Sequence, residues 1–329
     1  MTTSNVSAAA IAAILLAGCT AVPTSEEETA DVSAAVEEAE EIVEIAETEI
    51  EDVEAAVETE AELEITNADI LMAALDAQPP EAKARYDARN PGETLQFFGV
   101  EPGMTIVEAL PGGGWYTKIL MPYLGPEGTI VGAHYPDAIW GKIIPNITEE
   151  GLQRRIDATA NWPNRAAEWT DKGSPDIKSY QMTAAPEELK GTVDGVLFVR
   201  ALHNLNRAEA SDGYFSTTIA ESYQLLKPGG FVGVVQHRAP EENSDEWAVG
   251  NAGYLKENYV VDSFEAAGFE LIDASEINAN PKDNPTEEDF VWRLPPSLAT
   301  TEEGTPEQDT FLDIGESDRM TLLFKKPAE

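Results

Sequence analysis

From residue 104 onward the apolar positions fall into two alternating patterns. Short, nearly continuous apolar runs predict strands at 104–109, 128–133, 177–182, 193–199, 231–237, 269–275 and 319–325. Longer stretches with apolar residues three and four apart predict helices near 114–124, 148–159, 184–190, 208–226 and 257–267. A strand apolar at almost every position is buried on both faces. Seven such strands alternating with helices imply an α/β fold, a doubly wound and mostly parallel seven-stranded sheet. Upstream, Thr66-Asn67-Ala68-Asp69 reads as a capping box ahead of Ile70, Leu71, Ala74 and Leu75, which opens a folded domain over 67–329. Pro79-Pro80 stops that helix, and a second short one is expected over 81–89, before Asn90-Pro91. The stretch 277–318, rich in Pro, Asp and Glu, predicts a loop or flap over one edge.

Ahead of the domain the pattern changes twice. Residues 8–17 are an apolar run of signal-peptide length, too short to span a bilayer. The run ends in Leu16-Ala17-Gly18-Cys19, which resembles the lipobox of bacterial lipoproteins, and Cys19 is the chain's single cysteine. The resemblance implies a signal over 1–19, cleavage before Cys19 and lipidation of its thiol. Such a protein is exported and held to the bacterial cell envelope on the periplasm side by acyl chains rather than a spanning helix. Met1-Thr2-Thr3-Ser4-Asn5 lacks the usual basic residue, so a cytoplasmic protein with an apolar N-terminus is the alternative. Residues 20–66 are a low-complexity run of Glu, Ala and Val. Val36, Val43, Ile50 and Val57 recur every seven residues, but Ala39 and Ala46 thin the second row and the glutamates have no lysines to pair. A charged tether fits this segment better than a stable coiled coil.

Charge narrows the partners. The formal net charge is −40, residues 26–64 hold eighteen acids and no base, and the first basic residue is Lys83. A surface this acidic repels nucleic acid and anionic lipid headgroups. One cysteine excludes an intramolecular disulfide. What remains is a small-molecule partner, with membrane contact only through a lipid on Cys19.

The chemistry concentrates at 107–117, Val-Glu-Ala-Leu-Pro-Gly-Gly-Gly-Trp-Tyr-Thr. A strand pattern runs into the acid Glu108, then Pro111, Gly112, Gly113 and Gly114, then a helical pattern. Glycine allows a tight turn and close approach of a ligand, and the following helix presents unpaired N–H groups. Strand, glycine loop and helix are the nucleotide-cofactor arrangement of doubly wound folds.

These features resemble class I S-adenosylmethionine-dependent methyltransferases over about residues 68–328. Glu108 stands where that family has an acid, and Gly112 and Gly114 hold the second and third positions of its Gly-x-Gly-x-Gly loop, while Leu110 replaces the first. Leu226-Lys227-Pro228-Gly229-Gly230 resembles the approach to the fifth strand, Asp194-Gly195-Val196-Leu197 the start of the fourth, and Ala266-Ala267-Gly268-Phe269 the turn before the sixth. Asn280-Pro281-Lys282-Asp283 and Phe324-Lys325-Lys326-Pro327 resemble a narrower group of exported bacterial methyltransferases. The resemblance implies a Rossmann-like methyltransferase fold, S-adenosylmethionine as cofactor, and Glu108, Pro111, Gly112, Gly113, Gly114, His134 and Arg200 as cofactor contacts. One departure stands out. Val131-Gly132-Ala133-His134 offers no acid for the ribose hydroxyls at the end of strand two, and His134 can bond one hydroxyl but not grip two, with Asp137 the nearby substitute.

The three histidines, His134, His203 and His237, follow the ends of strands two, four and five, where open parallel sheets carry their ligand crevice. Methyl transfer is an in-line displacement, and a hydroxyl, thiol or amine acceptor needs a base. His203 is assigned as that base and His237 as second base or substrate binder. Tyr116 is expected to line the methyl pocket, and Arg238, or Arg200, to bind a substrate carboxylate. Trp115 suits packing or cofactor contact equally. Strand geometry separates His134 from the other two, which speaks against a shared metal, and no metal site is assigned. The function expected is methyl transfer to a small molecule by a membrane-tethered protein; a non-catalytic binding lipoprotein on the same scaffold is the alternative.

Overall fold

The computed structural model describes residues 65–328 apart from 145 and 170–172. The signal sequence, Cys19 and all but the last two residues of the acidic tether lie outside the described residues. Helix α1 (Asn67–Asp76) starts on the anticipated capping box: the Thr66 hydroxyl accepts from the Asp69 amide, and the Asp69 carboxylate accepts from the Thr66 amide at 2.9 Å. The segment expected as one helix over 81–89 is two short turns, Pro80–Lys83 and Tyr86–Arg89. It is followed by α2 (Pro91–Phe98), which the sequence reading did not place. Its signal was the proline, whose fixed φ suits a first helical position.

The strands are β1 (Thr105–Ala109), β2 (Thr129–His134), β3 (Asp176–Gln181), β4 (Val193–Val199), β5 (Leu226–Ala239), the two-residue β6 (Leu255–Lys256), β7 (Glu270–Ser275) and β8 (Arg319–Lys325). They pair in the order β3-β2-β1-β4-β5-β8-β7, with β6 attached to β5 alone. β1 to β5 run parallel, and β8 inserts antiparallel between β5 and β7. This is the doubly wound, mostly parallel Rossmann-like sheet that the apolar runs predicted. β5 is longer than expected because Leu226 already pairs with Val193 before a register shift at Gly195.

Alternation within the apolar strands sends neighbours to opposite faces. Ile106, Ile130, Leu197 and Val235 pack under Leu71 of α1, Leu95 and Phe98 of α2, and Leu120 of α3 (Thr117–Leu124). Val107, Val131, Val196, Val232 and Phe324 face the other way. They meet Phe215 and Ile219 of a helix at Tyr214–Leu225 and Phe264 of another at Glu257–Ala266. The expected 208–226 helix breaks at Gly213, whose φ of 65° separates Glu209–Asp212 from the longer piece. The expected 184–190 helix is a single turn, Glu187–Leu189, entered through extended Pro186. The 277–318 stretch carries a helix of its own, Pro306–Ile314, capped by the Thr305 hydroxyl. α4 (Glu149–Ala160) stands where it was expected, whereas the short helices Trp140–Ile143, α5 (Trp162–Ala167) and α6 (Leu202–Asn206) were not foreseen.

The motif Asn280-Pro281-Lys282-Asp283 anchors that long stretch. The Asn280 amide group donates to the carbonyls of Ile314 and Glu316. Buried Asp283 accepts from Arg293 at 2.8 Å, from the Tyr254 hydroxyl at 2.9 Å and from the Asp318 amide at 3.0 Å.

Candidate active site

The site grows from the turn that leaves β1. Leu110 takes φ 53°, the left-handed conformation in which the resembled loop has a glycine. Its amide donates to the Ala133 carbonyl at 2.8 Å, so the turn is kept and the strain is borne by a leucine. Gly112 (φ 55°) and Gly114 (φ 75°) complete the loop. A Cβ on Gly114 would fall 2.0 Å from the Trp169 ring, whereas one on Gly113 would meet nothing within 4 Å. Behind the loop, the Thr117 hydroxyl donates to Glu108 at 2.5 Å. Burial pushes the Glu108 carboxyl up to about 7, with the Thr117 bonds opposing. Glu108 lines neither cavity described next; it ties the end of β1 to the start of α3.

Two cavities open at the C-terminal ends of the parallel strands and share Leu110, Gly112, Arg200 and Asn204. The first, about 490 Å³, lies by the end of β2, walled by His134, Tyr135, Trp140 and Trp162. The second, about 620 Å³, lies over the loop and the ends of β4 and β5, with Pro111, Gly113, Trp115, His203, His237 and Trp292 in its walls. Arg85 and Lys118 also face it.

His203 and His237 do meet in one cavity, with ring centroids 5.3 Å apart. Gln236 between them fixes the base. Its amide nitrogen donates to the Gly253 carbonyl at 3.0 Å and the His237 carbonyl at 3.3 Å, so its oxygen faces His203 Nδ1 at 3.2 Å. His203 Nδ1 therefore carries the proton, and Nε2 keeps a lone pair for an incoming hydrogen. Burial pulls His203 down to about 4, with Arg207 and Arg200 adding to the effect and the Gln236 bond opposing it. The base form is present throughout the neutral range and is lost only as pH falls through about 4. His237 is held well below its ordinary value, by burial and then by His203, while its Nδ1 pairs with the Ser317 hydroxyl at 2.5 Å. His134 sits in the other cavity, as its strand position required.

Arg200, at the end of β4, also takes a left-handed turn (φ 56°) and faces both cavities. Burial and then Arg319 lower it to about 10, which leaves it charged at neutral pH. Tyr116 and Arg238 go elsewhere. Tyr116 is buried against Trp115, bonded to Thr94, and lines neither cavity. Arg238 points to the opposite side of β5, where Asp318, Glu257 and Glu276 hold it at 2.8, 3.1 and 2.7 Å. Trp115 serves both readings: it packs edge-on to Tyr86 and under Arg89, and it also walls the second cavity. Gln236, Arg85 and Trp292 were not singled out from the sequence. Gln236 stood beside His237, but its role depends on the β5 register. Among the described residues no group of three or more His, Cys, Asp or Glu is placed to hold a metal ion.

No family model matches the chain, and no curated protein matches it in sequence. Similar solved structures include a SAM-dependent methyltransferase from Aquifex aeolicus, 17% identical over 63% of this chain and 93% of that one, TM-score 0.41. Another is geranyl diphosphate C-methyltransferase from Streptomyces coelicolor, solved with Mg2+, geranyl diphosphate and S-adenosyl-L-homocysteine: 13% identity, 77% and 87% coverage, TM-score 0.44. A third is an arsenic(III) S-adenosylmethionine methyltransferase from Chlamydomonas reinhardtii, 13% identical over 78% of this chain and 73% of that one, TM-score 0.40.

Proposed function

We propose that this chain is an S-adenosylmethionine-dependent methyltransferase acting on a small molecule held beside His203 and His237. The observation that carries the reading is the glycine loop at the end of β1, opening onto a cavity that two neutral histidines share. The open side of Gly113 fits the family's cofactor, since a ligand can approach the main chain there without meeting a side chain. The donor, when bound, supplies a methyl group on an electrophilic sulfonium. Lys118, which has no ion pair among the described residues and faces this cavity, would hold its carboxylate, and Gly112 and Gly113 would offer backbone contacts. His203 Nε2 takes the proton of the acceptor, and Gln236 keeps the ring in the tautomer that can do so. Trp115 and Trp292 exclude water from the cavity they wall.

His203→Ala should cut release of S-adenosylhomocysteine at least a hundredfold, in the range typical of a lost general base, and leave its binding unchanged. Equal turnover in the variant would remove His203 from the chemistry.

Export and lipid attachment at Cys19 belong to the same reading, supported by Leu16-Ala17-Gly18-Cys19. Among the described residues no helix is long and apolar enough to cross a membrane. Cys19→Ser should shift the protein from the membrane fraction to the soluble fraction; unchanged fractionation would count against the anchor.

A second reading, a binding protein without turnover, draws on His134 standing where a ribose-gripping acid is expected. It predicts ligand binding with no product from any acceptor.

A further inference from the structure

The cavity beside β2 is walled by hydrogen-bond donors with almost nothing to receive them. The chain has ten arginines. Six of them, Arg85, Arg89, Arg154, Arg238, Arg293 and Arg319, form ion pairs. The four with no ion pair among the described residues are Arg155, Arg165, Arg200 and Arg207, and all four line this cavity. Among the described residues no Asp or Glu lines it. In a protein with 61 acids and 21 Lys and Arg, four unpaired guanidiniums around one hollow are not what a random surface produces.

The neutral donors point the same way. Trp140 Nε1, Trp162 Nε1 and His134 Nε2 are buried without any hydrogen-bond partner. An indole N–H can only donate, and a buried one left unmet destabilises the fold unless a ligand accepts from it. Burial, and then Arg165, hold His134 down to about 4, so its ring is neutral at neutral pH. Arg155 lies over the Trp140 ring at 4.6 Å, and Trp140 packs edge-on to Tyr135, so this guanidinium stands at the wall of the cavity. Arg165 donates to the Gly112 carbonyl at 3.3 Å and Arg207 to the Ile143 carbonyl at 3.3 Å, which leaves both with further N–H groups. Four positive charges lining one hollow, with no carboxylate among its described lining residues, make it a place for an anion.

We propose that this cavity binds an oxyanion carried on a flat ring, of which a nucleoside monophosphate is the simplest case. Arg155, Arg165 and Arg207 take the phosphate, since the guanidinium fork matches its oxygens two at a time. Tyr135, Trp140 and Ile143 form the apolar wall for the ring. The exchange has a known logic in dinucleotide sites: an acid after the second strand receives the ribose hydroxyls, and an arginine in its neighbourhood accommodates a ribose 2′-phosphate instead. This chain has His134 in place of the acid and arginines around it. The proposal does not depend on methyl transfer; it concerns the anion that the donors select.

The test is calorimetry on the full chain in phosphate-free, low-salt buffer, with adenosine monophosphate, adenosine, inorganic phosphate and S-adenosylhomocysteine as separate titrants. Adenosine monophosphate is expected to bind at least tenfold more tightly than adenosine, and more tightly than inorganic phosphate, with affinity falling as salt is added. An Arg155→Ala/Arg207→Ala protein should lose at least tenfold for the monophosphate and nothing for adenosine. If its melting temperature drops, Arg155→Ala alone, on an exposed position of α4, should still show a threefold loss. Adenosine binding as well as the monophosphate, or arginine variants that bind it unchanged, would overturn the proposal. A tighter fit for inorganic phosphate alone would also overturn it, since the ring would then play no part. Binding of S-adenosylhomocysteine without the monophosphate would remove this inference and leave methyl transfer standing; the converse would remove the donor and leave the inference.

Discussion

Gly114→Ala should lower the melting temperature by roughly 6–12 °C, the shift that about 3 kcal/mol produces in a domain of this size. Two costs add. The residue sits at φ 75°, where a Cβ costs about 1–2 kcal/mol. That Cβ would also stand 2.0 Å from Cζ3 of Trp169, and forcing an atom into a filled space costs about 1–3 kcal/mol. The indole would have to shift away from Lys118 at 4.8 Å and Arg165 at 5.6 Å, which lie over its ring. Because the loop would move as a unit, S-adenosylhomocysteine affinity should fall at least tenfold as well. Gly99→Ala is the control: φ is 73° and no atom lies within 4 Å of the added carbon, so only the backbone cost applies. Equal melting shifts in the two variants, read by scanning fluorimetry, would show that Trp169 does not press on the loop.

Asp283→Ala should be the most damaging substitution away from the crevice, at about 3–5 kcal/mol. The carboxylate is the shared acceptor for Arg293, Tyr254 and the Asp318 amide. Its removal leaves a guanidinium in a buried position with one carboxylate partner, Asp289 at 3.1 Å, and strands a backbone N–H. The loss should be smaller in Asp283→Asn, which keeps an acceptor oxygen. It should also be smaller in an Asp283→Ala/Arg293→Met double variant, which removes the orphaned charge. Denaturant unfolding of the three proteins checks this; additive losses in the double variant would mean that the pair does not act as a unit.

Both the fold and its limits were visible in particular residues. Strands such as Thr-Ile-Val-Glu-Ala in β1 are buried on both faces, so their apolar runs were unmistakable and the sheet could be drawn from them. Gly213 was in plain view inside a helical pattern, yet periodicity alone did not show that its left-handed turn would split the helix. At the site, strand ends predicted that His203 and His237 would share one side and that His134 would stand apart, and they do. Arg238 shows where this reasoning stops: it is one residue from His237, and one step along a strand reverses the side chain to the other face. Leu110 stands where the resembled loop has its first glycine, and its left-handed φ keeps the turn as a glycine would. The unpaired arginines could not be recognised from sequence, because being unpaired is a property of the folded neighbourhood. Arg155, Arg165, Arg200 and Arg207 come from α4, α5, the end of β4 and the turn after α6, and only tertiary packing brings them to one cavity.

Calorimetric titration of the full chain with S-adenosylhomocysteine, beside Gly113→Leu, tests the central claim most directly. The glycine has ordinary backbone geometry and open space around it, so leucine should fold normally and occupy the second cavity. The account predicts saturable heat from the unaltered protein, and none from a variant that melts at the same temperature. Heat from neither protein at millimolar ligand, or equal heat from both, would contradict it.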